Sequence, residues 1–195
     1  GINISRNIGA VDLWGWELEA GYQLTERLSV YGSAAFIDSE VQDNLPGLYT
    51  PPNPDEPYLV PTAGKQLVET PDWTFAGRLE YENGPFTIGL QGKYVGERWV
   101  TDVNDLSSDA YTTVDLDLRW DFGSVFHTDR TYLQLNVINL FDERYFGNLS
   151  TQICSVNPAG VPPANAFDCE SGVIGTPRYN LGAPRTWMVS LRTEF

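Results

Sequence analysis

The stretch DWTFAGRLEYENGPFTIGLQGKYVGER, Asp72 to Arg98, carries the reading of the fold. Its first half alternates, with Trp73, Phe75, Leu79 and Tyr81 opposing Asp72, Thr74, Arg78 and Glu80. Its second half does the same, with Phe86, Ile88, Leu90 and Tyr94 opposite Thr87, Gln91, Lys93 and Glu97. Period-2 alternation is the mark of a strand with one apolar and one polar face. Asn83-Gly84 between the halves is a tight-hairpin signal.

Working outward, the pattern repeats. WGWELEAGYQL sets Trp14, Trp16, Leu18, Ala20, Tyr22 and Leu24 against Gly15, Glu17, Glu19, Gly21 and Gln23. After a short turn, LSVYGSAAFID continues with Leu28, Val30 and Phe36 in phase. Downstream, YTTVDLDLRWDF opposes Val114, Leu116, Leu118, Trp120 and Phe122 to Thr113, Asp115, Asp117, Arg119 and Asp121. TYLQLNVINLF and the terminal RTWMVSLRTEF follow; the last puts Trp187, Val189, Leu191 and Phe195 on one face. About seven strands of ~9–12 residues result, joined by connections that run short, long, short, medium, short, long. The longest are a Pro-rich stretch from about Glu40 to Pro71 and a segment from about Asp142 to Pro184.

That alternation of lengths separates two barrel classes. A soluble sandwich mixes loop lengths at both ends. A membrane barrel has short turns on the periplasmic side and long loops outside. The strands are long enough to cross a bilayer when tilted. Trp14, Trp73, Tyr81, Trp120 and Trp187 sit near strand ends, as interfacial girdles require. The polar faces are ionic and rich in glycine, which suits a water-filled lumen better than a packed core. The expected class is therefore all-β: an antiparallel transmembrane barrel segment with its apolar face outward.

Composition narrows the function. The 195 residues carry a net charge of −14, which repels phosphate backbones and excludes a general nucleic-acid role. Aromatic residues at 13% argue against disorder. No run of apolar residues is long enough for a transmembrane helix, and no signal peptide is expected at the start. Cys154 and Cys169 read as a local disulfide, with two free thiols the alternative. A bridge implies an oxidising compartment, and closing a loop of about 15 residues stabilises by roughly 3 kcal/mol in the chain-entropy view. Seven strands is an odd number, and an isolated sheet has two bare edges that lipid forbids. The expectation is a part of a larger barrel.

Two motifs connect these features to a family. NVINLFDERYFG (Asn136 to Gly147) followed by PRTWMVSLRTEF (Pro184 to Phe195) resembles the C-terminal signature of TonB-dependent outer-membrane receptors. GWELEAGYQLTERLSVYGSAAFIDSEV (Gly15 to Val41) resembles an upstream hairpin of the same receptors. The resemblance covers nearly the whole chain. It implies the C-terminal part of a 22-stranded barrel in the outer membrane of a Gram-negative bacterium, with the plug, the TonB box and the earlier strands absent from this stretch. It implies capture of a scarce nutrient, usually a ferric siderophore, otherwise cobalamin, haem or a saccharide. TonB, ExbB and ExbD would energise uptake through the plug. In proteins of this kind a terminal aromatic on an amphipathic strand, here Phe195 with Trp187, Val189 and Leu191, is part of the signal read by the barrel-assembly machinery.

Catalytic readings find little support. His127, the one histidine, lies in a short connection and reads as a solvated turn residue rather than a member of a nucleophilic triad. Glu17/Glu19 and Asp115/Asp117 each share a strand face, where lumen solvation or pairing with arginines accounts for them. No cluster has metal-ligand spacing, and no enzyme activity, cofactor or metal is expected. DSEVQDN and TDVNDLSSD are acidic loops in which calcium binding is conceivable, but neither has the EF-hand pattern. Asn148-Leu149-Ser150 fits a glycosylation sequon, which reads as chance in a bacterial membrane protein. Function should sit in the long loops. Tyr49, Tyr58, Trp99, Tyr145, Arg178 and Tyr179 are the candidate ligand-facing residues, with loop packing as the alternative for each. Other classes remain open at this stage: a passive porin-type or structural barrel, and a soluble secreted β-protein.

Overall fold

The computed structural model describes residues 9–46, 59–124, 130–150 and 178–194. Seven long strands form one antiparallel sheet: β1 (Val11–Thr25), β2 (Leu28–Val41), β5 (Trp73–Asn83), β6 (Phe86–Val95), β9 (Tyr111–Gly123), β10 (Arg130–Ile138) and β13 (Thr186–Glu194). Their order in the sheet is their order in the chain. The meander expected from the alternation is therefore present, and the sheet does not close on itself among the described residues.

Three two-stranded ribbons lie in the long connections: β3 (Leu45–Pro46) with β4 (Leu59–Val60), β7 (Arg98–Trp99) with β8 (Ser107–Ser108), and β11 (Phe146–Ser150) with β12 (Arg178–Leu181). The sequence reading treated these stretches as loops or strand ends. Strands of two to five residues are too short for alternation to stand out. The fourth expected strand accordingly ends at Val95, and Arg98 belongs to a ribbon. β1 and β2, at 15 and 14 residues, exceed the expected length because they stay paired beyond the apolar band, from Val11↔Val41 downward. The β5–β6 hairpin is centred on Gly84-Pro85, one residue later than expected, since Asn83 pairs with Phe86. Gly84 at φ 58° takes the first central position, where a type II′ turn places glycine.

Register makes the two faces explicit. Trp16, Phe36 and Trp73 align in one row, Tyr22, Val30, Leu79, Leu90 and Leu116 in another, and Tyr81, Ile88, Leu118, Leu135 and Val189 in a third. This face is open: Trp14, Leu18, Tyr22 and Leu191 are 60–70% exposed. An apolar surface of seven strands is far beyond what a water-facing monomer carries, so it belongs in lipid.

Two aromatic belts bound the band. On the side of the long connections, Trp14, Phe36, Trp16, Trp73, Phe75 and Tyr94 touch in sequence, with Phe36–Trp73 centroids 4.7 Å apart. On the side of the short turns, Phe86 stacks on Trp120 at 5.8 Å and Trp120 meets Phe122 edge-on at 5.1 Å. Trp73 and Asn83, the β5 residue opposite Phe86, are ten residues apart, or roughly 33 Å of strand and about 25 Å along the normal at the usual tilt, comparable with the ~25 Å apolar band of outer-membrane barrels.

Nearly all the fully buried side chains sit at the rim formed by the long connections. Val60, Thr62, Val100 and Thr101 are 0% exposed, and Val41, Leu45 and Val95 lie close to them in the chain or across ribbons. A single-layer wall has no inner core to offer.

Candidate functional site

The polar face and the rim above it hold the groups that can meet a solute. On the polar face, register aligns Glu80, Gly89, Asp117, Asn136 and Met188. Arg78 reaches across β6 to Asp117, with Nη1 donating to Oδ1 at 2.7 Å, and also donates from Nη2 to Glu80 Oε2 at 2.7 Å. Gly89 lies beneath this bridge, and a Cβ there would run into both the guanidinium and the Asp117 carboxylate. Toward the short turns, Arg130 pairs with Asp121 at 2.5 Å and Arg119 stands 3.9 Å over the Tyr132 ring. Arginine pairing thus accounts for Asp117, as the sequence reading allowed. Asp115 has a different role: its Oδ1 accepts from the Asn139 backbone N–H at 2.8 Å.

Asn139, 1% exposed, opens the Asn-Leu-Phe-Asp motif and explains it. Its Nδ2 donates to the Glu143 and Ala183 carbonyls at 2.8 and 2.9 Å, and its Oδ1 accepts from Glu143 N–H at 2.8 Å. Asp142 Oδ1 accepts from Arg185 N–H at 3.0 Å. Both residues have positive φ, 52° and 57°, which Asn and Asp tolerate best among non-glycine residues. The two C-terminal motifs are therefore one structure: the first pins the entrance of the β10–β13 connection to its exit. Leu140 and Phe141, expected to finish a strand, lie in this turn.

The rim is cross-linked by hydrogen bonds. Trp99 Nε1 donates to Gln66 Oε1 at 2.7 Å, Glu69 N–H to the Trp99 carbonyl at 2.9 Å, and Gln66 N–H to Asn104 Oδ1 at 2.7 Å. Arg98 Nη2 donates to the Phe146 carbonyl at 2.7 Å. Tyr145 stacks on Tyr111 at 4.2 Å and lies flat over Gly182, whose missing side chain leaves room for the ring. Asp102 lines a small cavity with Val41, Leu45, Thr62, Gln66, Leu67 and Val68, and burial pushes its carboxyl up to about 6.

The six loop candidates thus have different surroundings. Trp99 and Tyr145 are engaged in rim packing. Tyr179 is 36% exposed with its ring 4.5 Å from Phe146, and Arg178 is exposed at the start of β12. Tyr49 and Tyr58 lie outside the described residues, as do His127, Cys154, Cys169 and Phe195. Trp187, Val189 and Leu191 are exposed on the apolar face. Sequence reasoning gave no such role to Gln66, Arg98, Asp102, Asn104 or Tyr111: Asp102 and Asn104 stood out only as part of an acidic loop, and Arg98 and Tyr111 only as strand ends.

A meander of bilayer-length strands with apolar side chains outward, ion pairs on the other face and a built rim at one end defines the wall of an outer-membrane barrel. Residues 1–140 match the family described as TonB dependent receptor-like, beta-barrel, and the chain belongs to that family. It is 30% identical over 149 residues to the ferrioxamine receptor of Yersinia enterocolitica, covering 75% of this chain and 19% of that protein. It is 34% identical over 141 residues to the metal-pseudopaline receptor CntO of Pseudomonas aeruginosa, covering 68% of this chain and 17% of that one. Among solved structures it resembles the ferric citrate transporter FecA in its unliganded form, with TM-score 0.65 and 18% identity over 94% of this chain and 24% of the other. The chain therefore spans about a fifth of the length of the curated relatives it matches.

Proposed function

We propose that this chain is part of the wall and outer rim of a receptor in the outer membrane of a Gram-negative bacterium that takes up a ferric siderophore by TonB-energised transport. The observation that carries the proposal is the seven-strand, apolar-outward sheet with a built rim, in a family whose matched relatives are named as ferrioxamine and metal-pseudopaline receptors. The chain performs no covalent chemistry in this reading. It supplies lipid-facing wall, charged lumen surface and loops, and represents the C-terminal part of the barrel. β1 and β13 each pair on one side only among the described residues, and lipid does not tolerate bare strand edges. Further strands and a plug in the same protein would complete the barrel and carry the contact with TonB, ExbB and ExbD. Arg178 and Tyr179, with Tyr49, Tyr58, Trp99 and Tyr145, form the loop set from which ligand contacts are drawn. Trp187, Val189, Leu191 and Phe195 serve barrel assembly.

The test is growth of a strain lacking the gene, and redundant receptors, on ferrioxamine or another trishydroxamate chelate as sole iron source. Uptake should be lost in the deletion and in a tonB background, and restored by the full-length gene. Uptake that persists without TonB and without the proton-motive force would instead assign a passive barrel.

A further inference from the structure

Three connections on the same side of the sheet, β2–β5, β6–β9 and β10–β13, are joined in series, and one dipeptide of the middle connection reaches both of the others, with Asn104 adding two hydrogen bonds to Gln66 on the first side. β7 consists of Arg98 and Trp99 alone. Successive strand residues point to opposite sides. The Trp99 indole N–H and carbonyl grip Gln66 and Glu69 of the β2–β5 connection. The Arg98 guanidinium turns the other way and grips the Phe146 carbonyl at the start of β11.

Three further observations indicate that these contacts hold the rim. Ribbons of two residues per strand are not stable alone. β3–β4 and β7–β8 persist through what packs on them: Val60 and Thr62 beside the first ribbon and Val100 and Thr101 beside the second are all fully buried. Arg98 is 8% exposed, has no carboxylate within ion-pair distance among the described residues, and leaves its Nε without an acceptor; the Tyr111 ring lies 5.7 Å from the guanidinium carbon. Burying an arginine this way is unfavourable unless its reach is needed. Glu69 holds a φ of 57°, a sparsely populated backbone state for a side chain of its kind, at the residue that donates to Trp99.

We propose that Arg98-Trp99 is a positioning tie that makes the described bases of the three connections one mechanical body, so that displacement of any one is transmitted to the other two. The tie does not depend on which solute the receptor takes.

Hydrogen exchange of the full-length receptor in detergent micelles, read by mass spectrometry, tests it. Trp99→Phe keeps a ring and removes the indole donor; Arg98→Met keeps bulk and removes the guanidinium. Loss of one such link should speed exchange of the backbone amides in the segment it anchors by roughly fivefold to thirtyfold. Trp99→Phe should accelerate residues 65–69 and also 146–149; Arg98→Met should accelerate 146–149 and also 65–69. In the double variant the second substitution should add less than it does alone. Acceleration confined in each variant to the segment it directly contacts, with additive effects in the double, would overturn the tie. Should Arg98→Met fail to assemble, Arg98→Gln examines the same link, and Trp99→Phe decides the question by itself.

Discussion

Two glycines three residues apart on β6 should respond oppositely to the same substitution. Gly89 lies on the polar face under the Arg78–Asp117 bridge, where a Cβ would overlap both partners. Gly92 lies on the apolar face in the row Gly32–Gly77–Gly92, where a Cβ would meet nothing within 4 Å. Gly92→Ala removes backbone freedom from the unfolded chain at no steric cost and should stabilise by about 0.5–1 kcal/mol. Gly89→Ala gains the same but must displace a bridge whose side chains are only 31% and 25% exposed. Charge-assisted hydrogen bonds of this kind contribute about 1.5–3 kcal/mol, and the lumen-facing water reduces that toward about 1. The net expectation is a gap of roughly 1–3 kcal/mol between the two variants. Urea unfolding of the full-length receptor in detergent, followed by tryptophan fluorescence and by loss of the heat-modifiable band, would measure it. Equal midpoints for the two variants would refute the reasoning. So would an undiminished cost of Gly89→Ala in an Arg78→Gln background, because the bridge would then be irrelevant.

Three further outcomes are expected. Burial holds Asp102 neutral up to about pH 6, above the ordinary 3.8, so the folded rim favours the protonated acid. Its contribution is complete below about pH 3.8 and lost as pH rises through about 6, at most about 3 kcal/mol and nearer 1 after partial exposure is allowed for. The rim should resist limited proteolysis better at pH 5 than at pH 7.5, and Asp102→Asn should abolish the difference; an equally pH-sensitive variant would contradict the assignment. Asn139→Ala leaves the Glu143 and Ala183 backbone groups without their partner and should cost about 2–4 kcal/mol, visible as less folded barrel on unheated gels. Deletion of Phe195 should lower the amount of assembled receptor in the outer membrane, and unchanged levels of heat-modifiable barrel would reject the assembly role.

The wall was legible because its rule is local. Every long strand alternates, and neither Trp73–Tyr81 nor Tyr111–Phe122 needs knowledge of any other segment to be assigned a face. The rim was not legible because its rules are not local. Gln66 matters through Trp99 and Asn104, more than thirty residues away in each case, and Asp102 through a cavity wall drawn mostly from the β2–β5 connection. Trp99 and Tyr145 were selected as aromatic loop residues suited to a ligand; the same chemistry also suits them to the packing they are found in. The Asn-Leu-Phe-Asp motif was visible as a pattern, but its physical meaning appeared only when Ala183 was seen to return to Asn139.

That return has an evolutionary consequence. One side-chain amide holds both ends of the β10–β13 connection, so the wall experiences the same short stub whatever lies between. Residues beyond the stub can lengthen, shorten or change without disturbing β10 or β13. Sequence change can therefore accumulate in that segment while the membrane-spanning part keeps its register. The same separation makes it a natural place to graft a foreign peptide for display at the cell surface.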